Sequence, residues 1–218
     1  MIEKILPSWV VSVEAFDDPP GVVLFPEEEA VIARAVDKRR REFTTARHCA
    51  RQALAQLGLS PAPIVPGERG APGWPDGVVG AITHCAGYRA AAVSLEALTI
   101  GIDAEPHEPL PDGVLTAIAL PQERDALARL GDQTHWDRLL FSAKESVYKA
   151  WFPLARRWLG FEEAHLTLDP SGTFTARLLI PGPLVLGREL TGFTGLWMVS
   201  DGLVITAIAL PGSPAPRT

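Results

Sequence analysis

The chain has 218 residues, 47% of them hydrophobic and 21% charged, with a formal net charge of −6. That length supports one sizeable core or two small, closely packed subdomains, and the acidic balance excludes general nucleic-acid binding, which needs a basic surface. Two cysteines, Cys49 and Cys85, without C-x-x-C spacing exclude a disulfide framework and a structural zinc site, and they fit a reducing cytoplasm.

At the N-terminus, Met1-Ile2-Glu3-Lys4-Ile5-Leu6-Pro7 is broken by charge and proline before a secretory h-region forms, and no later apolar run reaches membrane length. We therefore expect a protein neither exported nor anchored. Pro26-Glu27-Glu28-Glu29 opens a helix, with proline in the first turn and acids facing the positive end of the dipole. A basic run, Lys38-Arg39-Arg40-Arg41, follows. From Phe43 to Leu57, Ala46, Ala50, Ala53, Leu54 and Leu57 recur at helical spacing, and Gly58 is placed to end the helix. On that wheel Arg40, Arg47 and Arg51 form one stripe with Arg39 beside it, a pattern more often solvated than functional. Residues 60–77, rich in Pro and Gly, are loop. Within it Arg69 is either a loop charge or an anion contact.

Val78 to His84, a turn at Ala86-Gly87-Tyr88, and Ala90 to Leu95 read as a hairpin, and Leu98 to Asp103 as a third strand. That strand ends in Gly101-Ile102-Asp103-Ala104-Glu105, whose carboxylates, two residues apart, project from one face. His84 alone reads as a satisfied strand histidine, and Cys85 as a small buried residue. Pro121-Gln122-Glu123 then opens a helix closed by Gly131, and Trp136 to Trp151 forms another that stops before Pro153. In the latter, Glu145 and Lys149 are neighbours at i,i+4. Strands follow at His165 to Leu168, Thr173 to Ile180 and Leu190 to Val199, the last joined through Asp201-Gly202 to Leu203–Leu210 in a hairpin. Helices first and a small antiparallel sheet second, twice over, predict an α+β fold. Its two similar halves, residues 1–104 and 105–218, would be related by a pseudo-two-fold, with the active site at their seam.

Both acidic stretches have plain readings. Acids commonly mark the solvated end of a strand, and an exposed i,i+4 ion pair contributes only about 0.3–0.5 kcal/mol. The helix, however, keeps apolar company in Phe141, Val147, Tyr148, Ala150, Trp151 and Phe152, and charges on a mostly buried helix need partners. If the strand end packs against it, Asp103, Glu105 and Glu145 form a divalent-cation site beside a lysine, suited to diphosphate chemistry.

Taken jointly, Arg39 through Arg51 with Gly80-Ala81-Ile82-Thr83-His84, then Gly101-Ile102-Asp103-Ala104-Glu105, then Phe141-Ser142-Ala143-Lys144-Glu145-Ser146-Val147-Tyr148-Lys149, resemble the 4′-phosphopantetheinyl transferase superfamily. The resemblance spans roughly residues 39–160 and looks closest to its Sfp-type members, of actinobacterial or enterobactin type. It implies an enzyme that moves 4′-phosphopantetheine from coenzyme A to a serine of an apo acyl or peptidyl carrier protein and releases 3′,5′-ADP. It implies Mg²⁺, or Mn²⁺, on Asp103, Glu105 and Glu145, with Glu145 the first choice and Glu105 the second for activating the serine. Lys149 would offset charge at the reacting phosphate and Lys144 hold the diphosphate. Arg39, Arg47, Arg69, Thr83 and His84 would fall at the nucleotide end, while Ala104 brings no ligand and leaves its position to water. A monomer acting in the cytoplasm, without nucleic acid or membrane as partner, is expected, with Arg156-Arg157-Trp158 as a docking patch for the carrier. The rival readings are a non-catalytic coenzyme A or nucleotide-binding module and a metal-dependent coenzyme A phosphohydrolase.

Overall fold

A computed structural model describes residues 1–212, and among these two larger antiparallel sheets each carry one 20-residue helix. After a 3₁₀ turn at Ile2–Ile5 come β1 (Val11–Ala15), α1 (Pro26–Val31) and α2 (Asp37–Gln56). The hairpin β2 (Val79–Cys85) and β3 (Tyr88–Ser94) leads into β4 (Ala97–Pro106). Two short helices, α3 (Val114–Ile118) and α4 (Pro121–Leu127), precede α5 (Trp136–Ala155). The chain then forms β5 (Ala164–Asp169), β6 (Thr173–Leu178), the small pair β7 (Leu184–Val185) and β8 (Arg188–Glu189), β9 (Gly192–Ser200) and β10 (Leu203–Pro211). None of these helices is long and apolar enough to cross a membrane.

The first sheet runs β1-β3-β2 and the second β4-β10-β9-β6-β5. Small residues on β3 let it bury both faces. Ala91 and Val93 pack with Cys49, Ala50, Ala53 and Leu54 of α2, whereas Ala90 and Ala92 pack with Ile100, Ile102 and Ala104 of β4 and Ile205 and Ala207 of β10. The opposite side of the second sheet is closed by Leu139, Leu140, Ala143, Val147 and Trp151 of α5 against Phe174, Phe193, Trp197 and Val204. The order of layers is therefore α2, first sheet, second sheet, α5. Period-2 alternation along β4 decides which groups meet the helix: Ile100, Ile102 and Ala104 enter the seam, so Gly101, Asp103 and Glu105 take the other face.

Three expectations are corrected. The strand expected to end at Asp103 runs on to Pro106, so Asp103 and Glu105 both lie within β4, opposite Thr206 and Val204 of β10. Ala104 does not leave a polar position for water, since it is fully buried among the apolar residues of the seam. Finally, α5 does not stop before Pro153 but runs through it to Ala155. The proline sits in the last turn, where it forfeits one backbone bond without breaking an interior. Arg156, left-handed at φ 52°, closes the helix by donating its N–H to the Phe152 carbonyl.

Candidate active site

α5 packs tightly on β4 at Gly101, where an added Cβ would clash with the Ser146 carbonyl oxygen and the Ala150 backbone nitrogen. Only glycine fits there. Thr99 Oγ1 adds a bond to the Ala150 carbonyl at 2.7 Å. Two residues on from Gly101, Asp103 is 5% exposed and meets Lys149, whose Nζ donates to Asp103 Oδ1 at 2.7 Å and to the Ile102 carbonyl at 2.9 Å. Thr83, expected at the nucleotide end, is buried here instead. Its hydroxyl donates to the same Asp103 oxygen at 3.2 Å and accepts from Ala104 N–H at 3.1 Å, so it orients the carboxylate. Asp103 Oδ2 is buried with no hydrogen-bond partner.

Glu105 is held by Arg138, with Nη1 donating to its Oε2 at 3.0 Å. Burial raises the pKa values of both Glu105 and Glu145, and the Asp103 charge raises them further, while Arg138 opposes the shift at Glu105 and Lys149 at both. Burial and the Asp103 charge thus both disfavour the ionised form of the two glutamates. Among the described residues no group of three or more His, Cys, Asp or Glu stands gathered as a metal centre; Lys149 pairs with Asp103 and Arg138 with Glu105. The orphaned Asp103 oxygen, with the carboxylates of Glu145 and Glu105, is nonetheless the all-oxygen donor chemistry that a hard divalent cation takes, and the residues fit one.

From this floor a groove of about 720 Å³ extends between the halves, lined by Arg39, Arg47, Arg69, His84, Glu145 and Lys149. Arg39 Nη1 donates to His84 Nε2 at 2.7 Å. Arg47 is buried, donates from Nε to the Ile64 carbonyl at 2.9 Å and lies 4.0 Å over the Phe43 ring; burial lowers its pKa to about 10. The arginine stripe therefore divides. Arg40 pairs with Glu29 at 2.5 Å and Arg51 with the fully buried Glu28 at 2.8 Å, fastening α1 to α2.

Lys144 is also corrected. Rather than entering the groove, it is 4% exposed and gives its three donors to Glu123 at 3.0 Å, Phe161 O at 2.7 Å and Ala164 O at 3.2 Å. Its side of α5 borders a separate cavity of about 210 Å³ that shares only Glu145 and Tyr148 with the groove. Arg138 and the Glu123 partner had no place in the reading from sequence. A signal for Arg138 existed, because Arg138, Glu145 and Lys149 recur at i, i+7 and i+11 on one helical face.

Burial lowers the pKa of His84, and Arg39 lowers it further, with only Glu42 raising it. The unfolded chain then binds the proton more readily, so stability is present above the ordinary histidine pKa near 6.5 and is lost as pH falls through it. Between pH 7.5 and 5.0 the melting midpoint is expected to drop further in the wild type than in His84→Gln. Equal drops would show that His84 is not the titrating group.

Fold and site together define a class: an α+β protein whose groove is lined by arginines and a histidine together with Glu145 and Lys149. Residues 27–94 match the 4′-phosphopantetheinyl transferase N-terminal domain, and residues 99–197 the 4′-phosphopantetheinyl transferase superfamily. The chain belongs to the 4′-phosphopantetheinyl transferase superfamily. It is 59% identical to 4′-phosphopantetheinyl transferase Svp of Streptomyces mobaraensis, over 96% of this chain and 89% of the relative. To 4′-phosphopantetheinyl transferase PptT of Mycobacterium tuberculosis it is 52% identical, over 96% and 98%. Enterobactin synthase component D of Salmonella typhimurium is a more distant relative, 33% identical over 79% of this chain and 72% of its own length.

Proposed function

We propose that coenzyme A lies in the groove while its 4′-phosphopantetheine passes to a serine hydroxyl of an apo carrier protein. The observation that carries this reading is the Lys149–Asp103 pair at 2.7 Å, at the end of a groove that also holds Glu145, Arg39, Arg47, Arg69 and His84. Arginine forks and His84 would grip the nucleotide end, including the 3′-phosphate. Lys149 would stand at the diphosphate. The serine oxygen forms a bond to the phosphorus carrying pantetheine, the bridging P–O bond breaks, and 3′,5′-ADP leaves with the bonding electrons. Glu145 takes the serine proton, a role that suits a carboxylate whose pKa burial has raised; Glu105 is the alternative. Mg²⁺ or Mn²⁺ bound by Asp103, Glu105 and Glu145 would supply charge neutralisation at the diphosphate. On this reading residues 1–104 bind the nucleotide, residues 105–218 carry the chemistry, and the protein works as a cytoplasmic monomer.

Release of 3′,5′-ADP from coenzyme A, followed by chromatography with and without an apo carrier, separates the readings. A transferase releases it only with the carrier present. Release without a carrier would mean a phosphohydrolase, and no release under either condition a binding module.

For the carrier, Trp158 is 52% exposed beside Arg156 and Arg157 and is open to docking, whereas Trp151 and Phe152 in the preceding turns of α5 are buried in the core. Arg156 also lines the groove, so Arg157 gives the cleaner test. Arg157→Glu is expected to raise the KM for an acidic carrier and leave that for coenzyme A unchanged. An unaltered carrier KM removes the patch.

A further inference from the structure

The first turn of α5 is fastened to the segment that leaves β4. Arg138, only 14% exposed along its side chain, donates from Nη1 to Glu105 Oε2 at 3.0 Å, from Nε to the Glu108 carbonyl at 3.1 Å and from Nη2 to the Pro109 carbonyl at 2.9 Å. Beside it, Asp137 Oδ2 accepts from Leu110 N–H at 2.7 Å, and His135 N–H donates to His107 Nε2 at 3.1 Å. All three nitrogens of the guanidinium are thus committed in one planar fork, a pattern that a lysine cannot reproduce.

This fork has a consequence for the two glutamates. Glu145 lies on α5 seven residues beyond Arg138, roughly 10 Å along the axis at about 1.5 Å per residue, whereas Glu105 lies on β4. Arg138 is therefore the side chain through which the helix that carries Glu145 grips the Glu105 carboxylate. It occupies one oxygen of Glu105, and among the described residues no protein group is hydrogen-bonded to the other.

We infer that Arg138 is a positioning residue: it holds Glu105 by one oxygen so that the other is presented to the same cation as Asp103 and Glu145. This rests on the assignment of those carboxylates as ligands. Removing a group that orients a ligand typically weakens metal affinity about 10–100-fold.

The test is a Mn²⁺ titration of the full chain followed by the electron paramagnetic resonance signal of free Mn²⁺, with and without coenzyme A, and with coenzyme A alone as blank. Arg138→Gln is expected to bind Mn²⁺ at least about tenfold more weakly than wild type. Glu105→Gln should weaken it as well, and the double variant should bind no more weakly than Glu105→Gln alone, since Arg138 acts through Glu105. Arg138→Lys, which keeps charge and stem but not the fork, guards against a folding defect: it should melt above Arg138→Gln and bind Mn²⁺ with affinity between that variant and the wild type. If Glu105→Gln loses affinity but folded Arg138→Gln and Arg138→Lys match wild type, the inference fails and the ligand assignment stands. Tighter binding by Arg138→Gln would also overturn it, making Arg138 a competitor of the cation. Should Glu105→Gln bind as wild type does, the ligand assignment fails and takes the inference with it.

Discussion

Glu145→Gln is expected to lower phosphopantetheine transfer by about 10²–10⁴-fold, the range for loss of a general base, without lowering the melting midpoint. Glutamine preserves volume and removes a charge that the fold disfavours: burial and the neighbouring Asp103 both raise the Glu145 pKa. The substitution therefore relieves repulsion from Asp103 and, on the proposed assignment, deprives the serine hydroxyl of its proton acceptor. Initial rates of carrier modification beside thermal melts check both halves. Transfer at near wild-type rate would shift the base to Glu105, and a large fall in melting midpoint would show that Glu145 holds the fold.

Lys144→Met is expected to do the reverse, with a large loss of stability. The pair with Glu123 is almost completely enclosed, at 3% and 1% side-chain exposure, and deleting one member of a buried ion pair strands the other at a cost of roughly 3–5 kcal/mol. At about 2–4 °C per kcal/mol for a chain of this size, the melting midpoint falls by about 6–20 °C. Replacing both partners by apolar residues should recover only part, because Glu123 also accepts from Leu120 N–H and Leu166 N–H at 2.7 Å each. Transfer per folded molecule, measured well below the midpoint, should fall far less than in Glu145→Gln. A stable Lys144→Met protein that cannot transfer would return this lysine to the diphosphate.

The contrast between these two adjacent residues shows what the sequence can and cannot disclose. Helices were legible where local chemistry marks them, as with Pro26 and the acids that follow, Gly58 beyond α2, and the apolar stripe of α5. The site itself was legible as a pattern, because Asp103, Glu105, Glu145 and Lys149 fall on one strand face and one helix face. The environment of each charge was not, since it depends on partners distant in sequence. By its local sequence Glu105 is a solvated strand end, but Arg138 from α5 pairs with it; Lys144 sits beside Glu145 in the same motif, but Glu123 of α4 encloses it. Arg40, Arg47 and Arg51 share a helical stripe but part company according to what approaches: Glu29, the Ile64 carbonyl and Glu28. β1 carries no local mark in the sequence because its five residues, Val11 to Ala15, gain their structure from pairing with β3 far along the chain, and local propensity is a weak guide to such pairing.

The central claim is tested most directly by incubating the protein with coenzyme A, Mg²⁺ and an apo carrier protein and measuring the intact mass of the carrier. The expected result is a carrier heavier by one 4′-phosphopantetheine, on the serine that accepts it, in the wild type and not in Glu145→Gln. A carrier of unchanged mass across acyl and peptidyl carrier types, with the protein folded and coenzyme A intact, would contradict it.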